Sequence, residues 1–468
     1  MISIKPEVFI KKYSAAILEG DAAIFAGAGL SRPSGYVSWK EFLREIAKDI
    51  RLDVDKENDL ISVAQFYKNE MESRSDLNQE IIYQFTKEAK VNQTMNILST
   101  LPINTYWTTN YDKIIESTLE NKAKKKVDVK INQENLAENK PNRDAIVYKF
   151  HGDVSQPSQA VLTKDDFELF PRTHQLFISS LQGDLISKTF LFIGYSLNDP
   201  NLIQILSQIR ILLGENKRTH YCIFSKLNRK DFSSQSDFLY EKVKQELVIK
   251  DLKRYGIQSV IINRYSDIPE LLNLIKERIS RKNIFISGSF DQPTQEEDNY
   301  LYDFCKCLPI SLIKNNYKIF TGLGRKLGKY LTGHAVSYLI RNGERHIEKH
   351  LQMLPFNTNF SSSQKKKHRV GMIEPCKITI FIFGKGEEYG ENIDSKGVRE
   401  EFEIAKKLNK IIIPVGSTGF ESRRIWEEIN NNLDKYYYLE RYMESLNSEK
   451  DPKIICEIII SILKDFDY

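Results

Sequence analysis

Asp21–Ser31 reads DAAIFAGAGLS. Five apolar residues, Ala22–Ala26, run without a polar interruption and stop at Gly27 and Gly29. A run this short and this uniformly apolar predicts a strand buried on both faces. The two glycines permit a tight turn and close backbone approach. The same arrangement recurs along the chain. Thr105–Thr109 precedes Asn110-Tyr111-Asp112, Ala145–Phe150 precedes His151-Gly152-Asp153, and Thr189–Ile193 precedes Gly194-Tyr195-Ser196. Tyr221–Phe224 and Ser259–Ile262 complete this first series. Helical spacing lies between the strands, as in Trp39–Ile50, where Trp39, Phe42, Leu43, Ile46 and Ala47 share one face. Strands alternating with helices predict an α/β fold around a mostly parallel sheet. The polar stretch Asn121–Arg143, with Lys122, Lys124, Lys125 and Lys126, reads as a solvated insertion.

A second series begins at Asn283. Ile284–Ser287 precedes Gly288-Ser289, Tyr317–Thr321 precedes Gly322-Leu323-Gly324, Lys377–Phe383 precedes Gly384, and Ile411–Val415 precedes Gly416–Gly419. The helix Pro269–Ser280 and the pair Arg281-Lys282 make a hinge. The boundary is placed there, giving domains 1–280 and 281–468. Both are predicted to be Rossmann-like.

Composition narrows the class. Apolar residues are 41% of the 468 and aromatics 11%, which supplies ample core and excludes extensive disorder. A net charge of +5 from 68 basic and 63 acidic residues gives no reason to expect nucleic acid as the partner. The five cysteines, Cys222, Cys305, Cys307, Cys376 and Cys456, form no C-x-x-C pair, so neither a disulfide framework nor a structural zinc site is expected. No apolar run reaches the ~18 residues of a membrane span. Met1–Lys12 lacks the apolar core of a signal peptide. The expected location is the cytoplasm, without a membrane or metal.

In an open parallel sheet, ligands bind beyond the carboxyl ends of the strands. Gly27–Ser31, Thr108–Asp112, His151–Asp153 and Ser196–Asp199 all stand at such ends and can converge on one cleft. Gly27 and Gly29 would offer backbone N–H groups to a pyrophosphate, or would only make a βα turn. Asn110 would hold a ribose hydroxyl or a water, or would only be a turn or helix-cap residue. His151 would exchange a proton near neutral pH, or would be a hydrogen-bonded structural residue. Asp199-Pro200 reads equally as a helix start.

The order G-A-G-L-S, T-T-N-Y-D, F-H-G-D and G-Y-S-L-N-D-P-N resembles the sirtuin-type NAD-binding domain over about residues 1–280. That resemblance implies NAD+ contact by Ala26, Gly27, Gly29 and Ser31, with Asp112 and Ser196 as further candidates. It also implies catalytic roles for Asn110 and His151. Deacylating sirtuins carry two cysteine pairs that hold a zinc module beside the acyl-peptide cleft, and this chain has none. The implied reaction is therefore cleavage of the nicotinamide–ribose bond with water as acceptor, NAD+ being the substrate.

The C-terminal glycine turns, including Gly322-x-Gly324-x-x-x-Gly328, resemble the SLOG family of nucleotide-sensing domains. The catalytic P-G-G-x-G-T-x-x-E motif of the related phosphoribohydrolases is missing, which favours a sensor. Lys365–Arg369 (KKKHR) reads as a solvated basic loop for its lysines and as a phosphate fork for its arginine. A zinc-less sirtuin-type domain joined to a SLOG domain resembles the NAD-hydrolysing effectors of Thoeris antiphage systems. Segments Tyr36–Trp39 and Ser187–Gly194 add to that likeness. It implies a homotetramer whose SLOG domain binds a cyclic ADP-ribose isomer made by a TIR-domain partner, so that NAD+ depletion aborts infection. Gly288, Ser289, Phe356, Arg369, Gly397 and Glu401 would hold the isomer, Arg369 on phosphate and Glu401 on a ribose hydroxyl. A lysine of the family's pocket falls near Lys385-Gly386, and an apolar position falls near Arg325. Two other readings stand beside this one: a sirtuin-like deacylase or ADP-ribosyltransferase, and a non-catalytic nucleotide sensor or nucleic-acid-binding module.

Overall fold

A computed structural model describes residues 3–357, 359–388 and 391–466, so the first two residues of the segment Met1–Lys12 lie outside the described residues. The chain divides into two compact units, Met1–Lys276 and Glu277–Tyr468. The division falls within the helix Ile268–Ser280, just before the Arg281-Lys282 pair.

The first unit is built on seven strands: β1 (Ala22–Ala26), β2 (Thr105–Thr108), β3 (Val127–Lys130), β4 (Ala145–Lys149), β5 (Thr189–Ile193), β6 (His220–Ser225) and β7 (Ile257–Ile262). They form one parallel sheet in the order β3-β4-β2-β1-β5-β6-β7. All five residues of β1 and of β5 are buried, as expected of central strands covered on both faces. Phe25 lies in register with Trp107 on one side and Phe192 on the other, and Trp107 stacks on Tyr148 at 4.1 Å. The chain runs leftward from β1 to β2 and returns to the right of β1 as β5. The crevice of a doubly wound sheet therefore opens above β1.

Between β1 and β2, the helices Trp39–Asp49, Leu60–Glu70 and Ser75–Phe85 make a second small core around Phe42, Leu43, Val63, Tyr67 and Ile81. Ser38 starts the first of these helices with a capping box: Glu41 N–H donates to Ser38 Oγ, and Ser38 N–H donates to Glu41 Oε2.

The stretch Asn121–Arg143 is a solvated insertion only in part: Lys122, Lys124 and Lys126 are exposed. It also contains β3, which pairs with β4 along the sheet edge. There the polarity is internal: Lys130 and Asp128 are buried as an ion pair at 3.1 Å, joined by Arg143 at 3.4 Å. Charge pairing lets polar residues occupy a buried strand, which an apolar pattern cannot reveal.

The second unit has its own parallel sheet. Its strands are β8 (Asn283–Ser289), β9 (Lys318–Thr321), β10 (Leu351–Met353), β11 (Ile378–Phe383) and β14 (Ile411–Pro414), in the order β10-β9-β8-β11-β14. β12 (Lys385–Glu388) and β13 (Glu391–Asp394) form a separate antiparallel hairpin. The KKKHR run is helical rather than a loop. It lies in Ser362–Ile373, capped by Ser361 Oγ accepting from Gln364 N–H, with Lys365, Lys366 and Lys367 exposed. Among the described residues no helix is long and apolar enough to cross a membrane.

Glycine is obligatory where β1 and β5 end. A Cβ on Gly194, whose φ is +62°, would lie 2.3 Å from the Leu30 nitrogen, and one on Gly29 would lie 2.8 Å from Gly194 Cα. Gly194→Ala is expected to cost roughly 2–4 kcal/mol, from a left-handed backbone plus a clash with main chain. A fall of several degrees in the first thermal transition would show it; an unchanged melt would refute the close approach.

Candidate functional site

A cavity of about 560 Å³ opens at the carboxyl ends of β1, β2, β4 and β5. That size suits a cofactor or a substrate of similar bulk. Gly29, Ser31, Asn110, Asp112, His151 and Ser196 all line it. Four segments remote in sequence are thus brought to one place. An aromatic wall faces them, with Tyr36 stacked on Phe85 at 6.0 Å and Trp39 beside Phe42 at 6.3 Å.

Ala26 and Gly27 do not line the cavity; they sit behind the residues that do. The Ala26 carbonyl accepts from Thr108 Oγ1 at 3.0 Å, and that hydroxyl in turn accepts from Asn110 N–H at 3.0 Å. The buried Asn110 amide donates to the Gly27 carbonyl at 3.0 Å and to Ser31 Oγ at 2.9 Å. Asn110 is therefore clamped to the glycine turn rather than capping a helix. The glycines serve differently from the simple expectation of free donors. Gly27 N–H donates to the Ile193 carbonyl and Gly29 N–H to the Gly194 carbonyl, so both are already spent on the end of β5.

His151 is buried just past the end of β4. Its Nε2 lies 2.9 Å from Asp199 Oδ2. Gly152 follows with φ +93°, and a Cβ there would lie 3.0 Å from Ala160 Cα, so the turn after the histidine needs glycine. Asp199 also caps the helix Pro200–Leu213 by accepting from Leu202 N–H at 3.0 Å. Burial alone would raise this carboxyl. His151 and the backbone N–H groups of Leu202 and Asn201 outweigh it and hold Asp199 below the usual carboxylate range. A helix start and an orienting partner for histidine are here the same residue. The sequence reading gave Asp199 only the first role. Around the imidazole, Phe150 stacks at 5.4 Å while Phe167 and Phe170 meet it edge-on. Asp112 is also buried, its Oδ1 accepting from Ile114 N–H, and burial raises its carboxyl despite the opposing Lys149 charge. Ser196 is exposed at the rim.

In the second unit, glycine turns again follow the strands. A Cβ on Gly324 would lie 2.5 Å from the Gly288 carbonyl oxygen, which seats the turn after β9 on the end of β8. Arg369 gathers a cluster beside them. Its guanidinium lies 4.9 Å over the Phe356 ring, 2.6 Å from Glu400 and 3.5 Å from Glu401. A Cβ on Gly397 would meet Arg369 Nη2 at 3.0 Å. Ser287 Oγ donates to Glu401 Oε2 at 2.6 Å. Burial raises the Glu401 carboxyl to about 7, against the pull of Ser287 and Arg369. Ser289 Oγ donates to the Lys385 carbonyl at 3.1 Å. Lys385 itself is buried, 2.9 Å from Glu297 and over the rings of Phe290 and Phe420. Arg325 pairs with Asp291. Phe356, Arg369, Gly397 and Glu401 are brought together, with Ser287 as a member that sequence reasoning missed.

Residues 104–247 match the model of the SIR2-like domain, and residues 267–466 match that of the Sir2- and TIR-associating SLOG family. Among curated proteins, the NAD(+) hydrolase ThsA of Cytobacillus dafuensis is 44% identical over 92% of this chain and 90% of its own length. The chain belongs to the ThsA family of NAD(+) hydrolases. The ThsA of Bacillus cereus strain MSX-D12 is 40% identical over 92% and 91% of the two chains, and that of Acinetobacter baumannii strain 532279 is 38% identical over 97% of each. ThsA membership accords with an α/β fold of SIR2-like then SLOG units. Among the described residues, no group of three His, Cys, Asp or Glu is placed to hold a metal ion.

His174 stacks on Phe170 at 4.3 Å, next to His151. Burial, and then the nearby His151, lower it to about 4. The unfolded histidine binds its proton near pH 6.5, so acid favours the unfolded chain. The stability from this group is complete above about pH 6.5 and is lost as pH falls toward 4, amounting to ~3 kcal/mol. His174→Phe should therefore bring the melting temperatures at pH 5 and pH 7 closer together. An unaltered gap between them would contradict the assignment.

Proposed function

We propose that this chain hydrolyses the nicotinamide–ribose bond of NAD+ in a Thoeris-type antiphage defence, and that a cyclic ADP-ribose isomer bound to the second unit switches it on. The observation that carries the hydrolase reading is the convergence of Asn110 and an Asp199-held His151 on one cavity of suitable size. The chemistry asks for positioning and charge more than for a strong base. The bond from ribose C1′ to the pyridinium nitrogen breaks, its electron pair leaves with neutral nicotinamide, and water oxygen bonds to C1′. The water proton passes to His151 and on to solvent, leaving ADP-ribose. Asn110, rigid in its clamp, orients the ribose or the water. Asp199 fixes the imidazole and balances its charge when protonated. Ala26, Gly27, Gly29, Ser31, Asp112 and Ser196 shape the NAD+ cradle.

Product analysis tests this reading. Nicotinamide and ADP-ribose should accumulate together, and His151→Ala or Asn110→Ala should lower kcat by about 10²–10⁴-fold. Asp199→Asn should fall by a smaller factor through lost orientation. Wild-type hydrolysis persisting in His151→Ala would remove that residue from the mechanism. Label appearing on a peptide in place of free ADP-ribose would instead support the acyl- or ADP-ribosyl-transfer reading.

Arg369, Phe356 and Glu401 support the activator reading. A guanidinium suits phosphate, an aromatic face suits a base, and a carboxyl at the edge of ionisation suits a ribose hydroxyl. Gly288, Ser289 and Gly397 complete that site. The isomer would come from a TIR-domain partner, and the resulting NAD+ loss would abort infection in the cytoplasm. The first unit also carries exposed Leu239, Val243 and Leu247 along one helix, with Ile211 and Leu212 on another. These apolar side chains offer a surface for the self-association that a homotetramer assembled through that unit requires. Activation requires that the isomer favour the active form over the resting one. Arg369→Ala should abolish activation while NAD+ still binds the cavity; a normal response to the isomer would place the sensor elsewhere.

A further inference from the structure

The end of β4 carries a charge that this scheme does not use. Lys149 is fully buried, two residues before His151. Its ammonium donates to the backbone carbonyl of Asp112. It also lies 3.3 Å from Asp153 Oδ2 and 3.4 Å from Glu116 Oε1. These partners come from three places. Asp112 is in the turn that carries Asn110, Asp153 is in the turn that carries His151, and Glu116 is on the helix Ile114–Asn121 beneath both. A buried ammonium is costly to isolate, so its partners are drawn toward it and held. The neutral bond from Val154 N–H to the Tyr111 carbonyl runs alongside and joins the same two turns.

Lys149 stands among three carboxyl groups. Asp112, Glu116 and Asp153 face it, and the half-exposed Lys113 approaches from outside, 3.8 Å from Asp153. Burial works to lower the Lys149 ammonium, but Glu116, Asp153 and Asp112 outweigh it and hold it above the ordinary lysine value. Burial raises Glu116 as it raises Asp112, and for each the largest opposing influence is Lys149. Tyr36 borders the same group and is pushed to about 12 by burial and then by Asp112 and Glu116. Asp112 and Tyr36 both line the cavity, so the group held by Lys149 extends to the cavity wall.

We propose that Lys149 is a positioning residue for the hydrolysis: by bridging the Asp112 carbonyl to the Asp153 carboxylate, it sets the Asn110 turn against the His151 turn. This rests on the hydrolase reading above. Lys149 touches neither the cavity nor the substrate, and its influence passes through the two turns it joins.

Three variants of the full chain test the proposal: Lys149→Met, the charge-compensated Lys149→Met/Glu116→Gln, and Lys149→Arg. The compensated pair keeps the test open if Lys149→Met alone fails to fold. Thermal melts select the folded variants, and kcat and KM for NAD+ are then followed from pH 5 to pH 9. The expected result is a kcat lower by about 10²-fold, the scale of a small misplacement of reacting groups, with KM within about threefold of wild type. The acid limb of the profile should move to higher pH in Lys149→Met, because Asp112 loses its main opposing cation. Lys149→Arg should recover part of kcat. A folded Met variant with wild-type kcat and pH profile would overturn the proposal and leave the hydrolase reading intact. So would a rise in KM alone. All rates are taken with a cyclic ADP-ribose isomer present, and a wild-type chain that releases no nicotinamide with or without the isomer would overturn both.

Discussion

Gly29 and Gly194 meet backbone to backbone, with no room for a methyl group on either. Much of the first unit's site depends on this approach. It seats the turn after β1 on the end of β5, with the two glycine N–H groups spent on the carbonyls of Ile193 and Gly194. Once seated, the turn presents the Gly27 carbonyl and the Ser31 hydroxyl to Asn110 from β2. On the other side, the chain leaving Gly194 reaches Asp199 within a few residues, in position to meet His151 from β4. The contact is steric before it is chemical, and a whole set of hydrogen bonds hangs from it. The second unit repeats the device between Gly324 and Gly288.

Much of this was legible in the sequence because the central strands are so uniformly apolar. Ala22–Ala26 and Thr189–Ile193 need no partner to be recognised, and the glycines and polar clusters that end them mark where a cleft must open. The gathering of Asn110 and His151 followed from topology alone. Elements that balance charge internally were harder to see. β3 hides Lys130 and Asp128 behind an ion pair, so its residues read as solvent-facing. Lys365–Arg369 reads as a loop when counted by charge, yet Ser361 and Gln364 offer the capping signal of the helix that contains it. Asp199 shows the limit most clearly. Its helix-capping role is local and visible, whereas its pairing with His151 depends on a strand order that no short segment encodes.

The two units treat buried charge differently. Around Lys149, three carboxyl groups share one buried ammonium beside the cavity. Around Arg369, two carboxylates and an aromatic ring hold one guanidinium, and Glu401 sits near the midpoint of its own titration. The first arrangement is a brace between two turns. The second is a set of contacts that a phosphate or hydroxyl can replace one for one, which is what a reversible binding site needs.

The pairing of β1 with β5 joins residues about 170 positions apart. During synthesis the glycine turn leaves the ribosome long before Gly194 and Asp199 exist to receive it. At about 5–20 residues per second, the interval is on the order of ten seconds or more. Throughout that time the nascent chain holds Asn110 and later His151, but neither the end of β5 that seats the glycine turn nor a partner for the histidine. A product truncated or stalled before Asp199 therefore lacks the assembled cavity. A cell that carries this gene is spared a hydrolase acting on its NAD+ pool from copies that stop short of that residue.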